Sequence, residues 1–222
     1  MYSLCRDPVP PLPEPLETNT LAGQSSKPSR YLPFSKNKNF IGRTEEIDAL
    51  EQKLFVEQEC QKIAVVGLGG VGKTQVALQF AYSVLEKHPD VSVFWIHALS
   101  LETFEQACGE VSGVLGLVGT ENDKEDVKEL VQRHLSTERA GRWMLIVDNA
   151  DGMDVLEGSD GEQGILDYLP ESESGLTVFT TRDKQTADAL ASNSIVDVEK
   201  LGLVTASHLF KKMFTRKDLV YD

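Results

Sequence analysis

The chain has 222 residues, 41% apolar and 26% charged, enough for one buried core and part of a second domain. Its 22 Lys and Arg against 35 Asp and Glu leave a net charge of −13, which repels phosphate backbones and anionic lipid and sets aside nucleic acid and membrane surfaces as partners. No apolar run approaches the ~18 residues of a membrane helix; three scattered cysteines (Cys5, Cys60, Cys108) suit neither a disulfide framework nor a zinc cluster, and point to a reducing, cytoplasmic setting.

Residues 1–30 read as a disordered leader. Pro8, Pro10, Pro11, Pro13 and Pro15 favour polyproline II, and no apolar h-region marks a signal peptide. Order is expected from Tyr31. Thr44 is placed to cap a helix carrying Ile47, Leu50 and Leu54 on one face. Residues 62–66 predict a β-branched strand, followed by a glycine-rich turn and a helix to about Leu85 that His88-Pro89 ends. A second strand is predicted at 91–96. Ser100 then opens a helix with Phe104, Cys108, Val111 and Leu115 on one face. Residues 120–123 resemble a capping box for another, with Val127, Leu130, Val131 and Leu135 inward. Further strands are predicted at 143–147, 176–180 and 195–198, with a helix from Asp183 to about Ala191 between the last two.

Strands that are continuously apolar and separated by helices predict an α/β fold, a five-stranded parallel sheet covered on both faces. Ligands of such sheets sit at the carboxyl ends of the strands. There the first strand leads into Gly67-Leu-Gly-Gly-Val-Gly-Lys73-Thr74, which satisfies the P-loop pattern GxxxxGK[ST] between a strand and a helix. Gly67, Gly69, Gly70, Val71 and Gly72 would present backbone N–H groups to a phosphate chain at a helix N-terminus. Lys73 would reach its terminal phosphates and Thr74 would ligate Mg²⁺, with Gln75 completing the binding set. The third strand ends Met144-Leu-Ile-Val-Asp148, a Walker B strand whose Asp148 would hold the same Mg²⁺. The fourth ends Thr180-Thr181-Arg182, and a guanidinium there can bridge oxygens of the terminal phosphate. No guanine-reading NKxD follows the P-loop, which points to adenine.

Five motifs in one order resemble the NB-ARC family, the nucleotide-binding module of STAND-class P-loop NTPases, in the flavour of its fungal NLR-like members. They are Phe40-Ile-Gly-Arg43-Thr-Glu45, the P-loop, Val93-Phe-Trp-Ile96, Leu145-Ile-Val-Asp148 and Val178-Phe-Thr-Thr-Arg182-Asp183. The resemblance implies an ADP/ATP switch with Mg²⁺, Ile41, Gly42 and Arg43 lying on adenine, and the Arg182 strand sitting between the Walker A and Walker B strands. It also implies a domain through residue 204 and a helical lid that residues 205–222 only begin. The fragment is then expected to be a monomer, with nucleotide-dependent homo-oligomers in any longer form. The family often carries a second acid after the Walker B Asp; here Asn149 stands there, with Asp151 as the substitute. Slow or absent hydrolysis is therefore expected, the alternative being an active P-loop ATPase. His97 reads as a polar strand end, Cys108 as core, and the charges at 121–129 as a solvated helix face.

Overall fold

The computed structural model describes residues 27–117, 126–159, 161–192 and 194–213. The Pro-rich segment through residue 26, the capping box at 120–123, Cys5 and the lid past residue 213 lie outside the described residues.

One parallel sheet organises the domain. From one edge to the other it runs β1 (Arg30–Tyr31), β3 (Ser92–His97), β4 (Trp143–Asp148), β5 (Gly175–Thr181), β2 (Lys62–Val66) and β6 (Ile195–Asp197). The strand carrying Arg182 at its end thus lies between the P-loop strand β2 and the Walker B strand β4, as the resemblance implied. Six strands replace the five expected. The extra one, β1, has two residues and no apolar run to announce it. Tertiary pairing makes it a strand: the Val93 N–H donates to the Ser29 carbonyl at 3.0 Å, and the Ser29 N–H donates to Ser92 Oγ at 3.0 Å.

Helices cover both faces because β2 to β5 are buried on both sides. On one side α1 (Thr44–Glu51) and α2 (Lys73–Lys87) bring Leu50, Val76, Phe80 and Val84 onto Ile63, Val65, Trp95 and Ile146. On the other, α3 (Leu101–Leu115), α4 (Val127–Leu135) and α6 (Lys184–Ala191) bring Phe104, Val111, Leu135 and Leu190 onto Phe94, Leu145 and Phe179. A short α5 (Met153–Glu157) and α7 (Leu203–Met213) complete the described α-helices, and single 3-10 turns stand at Glu138–Ala140 and Ile165–Tyr168.

Thr44 does not cap α1. The cap position belongs to Arg43, held left-handed at φ 61°, and Thr44 is the first helical residue. Past Glu51 the chain continues as a π-helical segment, Gln52–Val56, which keeps Leu54 buried beside Leu50. The solvated face expected at 121–129 also needs correcting within the described part. Lys128 is buried, its ammonium 2.8 Å from Asp126, 3.2 Å from Glu105 and 5.1 Å from the centre of the Tyr168 ring, so it pins α4 to α3. Among the described residues no helix is long and apolar enough to cross a membrane.

Cys108 sits inside α3's buried face, 1% exposed, and burial pushes its thiol up to about 12 from an ordinary 9.0. At pH 8 it should resist alkylation in the native chain and react once the chain is unfolded, as peptide mapping of the modified residues would show. The unfolded thiol loses its proton first as pH rises, so this residue's contribution to stability should decline from about pH 9 to about 12.

Candidate functional site

Each strand of the sheet points its carboxyl end to the same edge, and four chain segments meet there. The β2–α2 connection is the glycine-rich loop. Gly70 and Gly72 hold φ of 79° and 100°, a region closed to most side chains, while the N–H groups of Gly67 and Val71 donate to the carbonyls of Thr181 at 3.3 Å and Leu68 at 3.4 Å. Gly72 stands at the N-cap of α2, and no side chain of the described residues caps that helix. Its first-turn N–H groups and positive dipole end therefore face the loop. Gly67 is required for a different reason: a Cβ there would collide with the Val198 carbonyl, whose chain crosses just behind.

Lys73 folds over this loop, its Nζ donating to the carbonyls of Gly67 at 2.8 Å and Leu68 at 3.1 Å. Partial burial pulls its pKa below the ordinary lysine value; Asp151 opposes that shift, Arg182 adds to it and Asp148 opposes it. Thr74 and Asp148 come together from α2 and β4. Thr74 Oγ1 donates to Asp148 Oδ1 at 3.0 Å, and the Thr180 hydroxyl of β5 donates to the same oxygen at 2.6 Å. The carboxylate is 1% exposed. Its other oxygen, Oδ2, receives Asn149 Nδ2 at 3.2 Å and faces His97 Nδ1 at 3.6 Å.

Asn149 and Asp151 behave unlike a second Walker B acid. Asn149 is held left-handed at φ 62°, its N–H donating to Thr180 Oγ1 at 2.9 Å, so its side chain turns back onto Asp148. Asp151 is engaged on both oxygens: Oδ1 accepts from the Arg182 N–H at 2.7 Å and from Thr181 Oγ1 at 3.3 Å, and Oδ2 lies 3.0 Å from Arg182 Nε. The Arg182 guanidinium spreads over Gly69, where an added Cβ would come within 3.8 Å of it.

The segment at 41–43 closes the opposite flank. Ile41 is half-buried, and Gly42, at φ 71°, packs against Thr205 and Leu201 at the start of α7. Arg43 is turned inward. One guanidinium nitrogen pairs with Glu46 at 2.6 Å, and the other donates to the carbonyls of Val71 at 2.8 Å and Glu199 at 2.6 Å. A single side chain thus ties the P-loop to the chain leaving β6. Between these two segments lies a cleft of about 440 Å³, bounded by Gly67, Val71, Arg182 and Val198. Gln75, by contrast, points away from the loop and accepts from Asn37 Nδ2 at 2.7 Å on the exposed side of α2.

Comparison with known proteins agrees with this geometry. The NB-ARC domain family matches residues 43–220. The chain belongs to the NB-ARC family. It is 40% identical over 196 residues to a nucleotide-binding leucine-rich repeat (NLR)-like protein of Hyaloscypha variabilis, covering 82% of this chain and 20% of that protein. A WD repeat-containing protein of Nostoc sp. is 25% identical over 183 residues, 74% of this chain and 14% of that one. The NB-ARC chain thus spans a fifth or less of the length of these curated relatives. Among solved structures, a Walker-type ATPase of Pyrococcus abyssi shares the fold, with a TM-score of 0.54 at 16% identity, over 85% of this chain and 64% of that one. The protein is a P-loop NTPase nucleotide-binding domain of the NLR-like kind.

Of the residues singled out from the sequence, Lys73, Thr74, Asp148, Asp151 and Arg182 converge on the NB-ARC loop, and Gln75 does not. Three residues named in the sequence without these roles contribute to the site: Thr180, expected only to close a strand, bonds Asp148; Asn149, expected only as a missing acid, turns back onto it; and His97, expected only as a polar strand end, becomes its neighbour because β3 pairs with β4 in the register His97 to Asp148. Arg43→Ala removes two charge-assisted bonds to backbone carbonyls and leaves the half-buried Glu46 without its ion-pair partner. It should cost about 2–3 kcal/mol in chemical denaturation, against less than half of that for Arg182→Ala, which is exposed.

Proposed function

We propose that this NB-ARC domain is a slow adenine-nucleotide switch, a cytoplasmic signalling module that holds ADP or ATP with Mg²⁺. The observation that carries the proposal is the state of the acids beside Asp148. Asn149 is no base, and Asp151 is bound to Arg182 and Thr181.

The residues present suit a phosphate chain with a divalent cation. Loop N–H groups and the α2 N-terminus supply donors, and Lys73 exchanges two backbone carbonyls for phosphate oxygens, where its charge is better compensated. Thr74 and Asp148 hold the cation, which neutralises phosphate charge when bound. Arg182 lies across Gly69 and holds Asp151 through Nε, so a terminal phosphate meeting its other nitrogens would share the guanidinium with Asp151. The presence of a third phosphate is thereby coupled to the loop after β4, and that coupling is the switching element in this proposal. The cleft bounded by Val71, Val198 and Glu199, two of whose carbonyls Arg43 holds, takes the base, whose adenine preference rests on packing and backbone contacts. This chain by itself is proposed to be monomeric, with nucleotide-dependent association in any longer form.

Hydrolysis needs a water held in line with the terminal phosphate and a group to take its proton. Asn149 can orient water but cannot accept that proton, so turnover should be on the order of one per minute or less, against kinase-like rates of roughly 1–100 s⁻¹. Phosphate release near one per second, abolished by Lys73→Ala, would move the reading to an active ATPase.

Binding itself is tested directly. Purified protein, denatured and chromatographed, should release ADP or ATP. Titration calorimetry should show ATP and ADP bound more tightly than GTP and GDP, with no detectable binding in Lys73→Ala. Equal affinity for all four nucleotides would sink the adenine assignment. Asp148→Ala should weaken Mg²⁺-dependent ATP binding more than Mg²⁺-free ADP binding; equal losses would mark Asp148 as structural.

A further inference from the structure

His97 closes β3 directly opposite Asp148. Its Nδ1 is buried and finds no hydrogen-bond partner among the described residues. The atom it faces is Asp148 Oδ2, at 3.6 Å, too long for a hydrogen bond. The ring cannot readily turn away, since Phe34 stands edge-on at 5.7 Å and Trp95 at 6.3 Å between ring centres. Asp148 Oδ1 is already taken by two hydroxyls, from Thr74 and Thr180, whereas Oδ2 accepts only from Asn149 Nδ2 at 3.2 Å among the described residues, which leaves it a second lone pair. Beside these groups runs a second cleft of about 410 Å³, bounded by Thr74, His97, Asp148 and Asn149, with Nδ1 itself buried behind its wall.

A buried ring nitrogen and a carboxylate oxygen at this separation share a chemistry. Two adjacent donors, each about 2.1 Å from one octahedral cation, stand about 3 Å apart, so closing the 3.6 Å gap by about 0.6 Å brings Nδ1 and Oδ2 onto one ion. The tautomer with its proton on Nε2 leaves the Nδ1 lone pair aimed at Oδ2. We infer that His97 supplies a nitrogen ligand to the nucleotide's divalent cation, alongside Thr74 and Asp148, and so tilts the site from Mg²⁺ toward Mn²⁺. Mg²⁺ favours oxygen-only surroundings, whereas imidazole suits the transition metals, so one nitrogen changes which ion is preferred. This inference rests on the nucleotide reading above.

The test uses the wild-type chain with ADP and Mn²⁺. Pulsed electron paramagnetic resonance should show ¹⁴N coupling from a bound imidazole, and the coupling should vanish in both His97→Phe and His97→Asn. His97→Phe keeps a flat ring between Phe34 and Trp95; His97→Asn places an oxygen donor near the Nδ1 position, which tests the same claim should the first variant fold poorly. In calorimetry the preference for Mn²⁺–ADP over Mg²⁺–ADP should fall on the order of tenfold in either variant, while ADP affinity without metal stays unchanged. Wild-type Mn²⁺–ADP binding without nitrogen coupling, or coupling that persists in both variants, overturns the role of His97 and leaves the nucleotide reading intact. Equal losses of metal-free and metal-bound ADP affinity also overturn it, since they mark a structural residue. Failure to bind ADP with or without metal overturns the nucleotide reading and this inference together.

Discussion

An ionised carboxylate that is 1% exposed, as Asp148 is, costs several kcal/mol to bury unless hydrogen bonds and positive charge replace the water it loses. This constraint orders the carboxyl edge of the sheet. Thr74, Thr180 and Asn149 each spend a hydrogen-bond donor on Asp148, and they come from α2, β5 and the loop after β4. The P-loop helix, the central strand and the Walker B strand are therefore joined through one side chain. Both hydroxyl bonds fall on Oδ1, which fixes the orientation of the carboxylate and leaves Oδ2 facing the site.

A second tie runs across the other flank. Arg43 connects the start of α1, the end of the P-loop and the segment after β6, whose hydrogen bonds all end on backbone carbonyls or on Glu46. Arginine suits this place because a fork of fixed geometry can reach two carbonyls and a carboxylate at once, which an ammonium on a flexible stem does less well. The left-handed φ of Arg43 aims the side chain inward rather than along the helix. Gly42 and Gly67 then allow backbone and neighbouring chain to approach closely enough for the tie to form.

The pairing of Asp151 with Arg182 gives the site its character. An acid and a base that could each act on a terminal phosphate instead neutralise one another at 3.0 Å. The pair is partly exposed, so little energy holds it together, and an incoming anion competes for the guanidinium on favourable terms. A weak internal contact that a ligand can replace suits a binding switch better than a fast catalyst. Burial of Lys73 acts in the same direction, since a cation short of solvation gains more from an anion than one in open water.

Much of this was legible in the residues. The apolar β-branched runs fixed β2 to β6 to within a residue or two, and the glycines with Lys73, Thr74 and Asp148 marked the P-loop and the acid that meets it, because local backbone freedom and residue chemistry act within a few positions of the chain. The Ser100 cap and the stop at His88-Pro89 were equally local. What the tertiary structure alone decided depends on partners distant in the chain. The two-residue strand β1 exists through its pairing with β3, 63 residues away. Lys128 is buried because Glu105 and Tyr168 meet it across two helices. Asp151 acquires Arg182 as its ion-pair partner, and His97 acquires Asp148 as a neighbour through strand register. Short-range patterns set which elements form and which chemistry each carries; the pairing of strands far apart in sequence set which side chains face one another, and no spacing rule within a single segment encodes that.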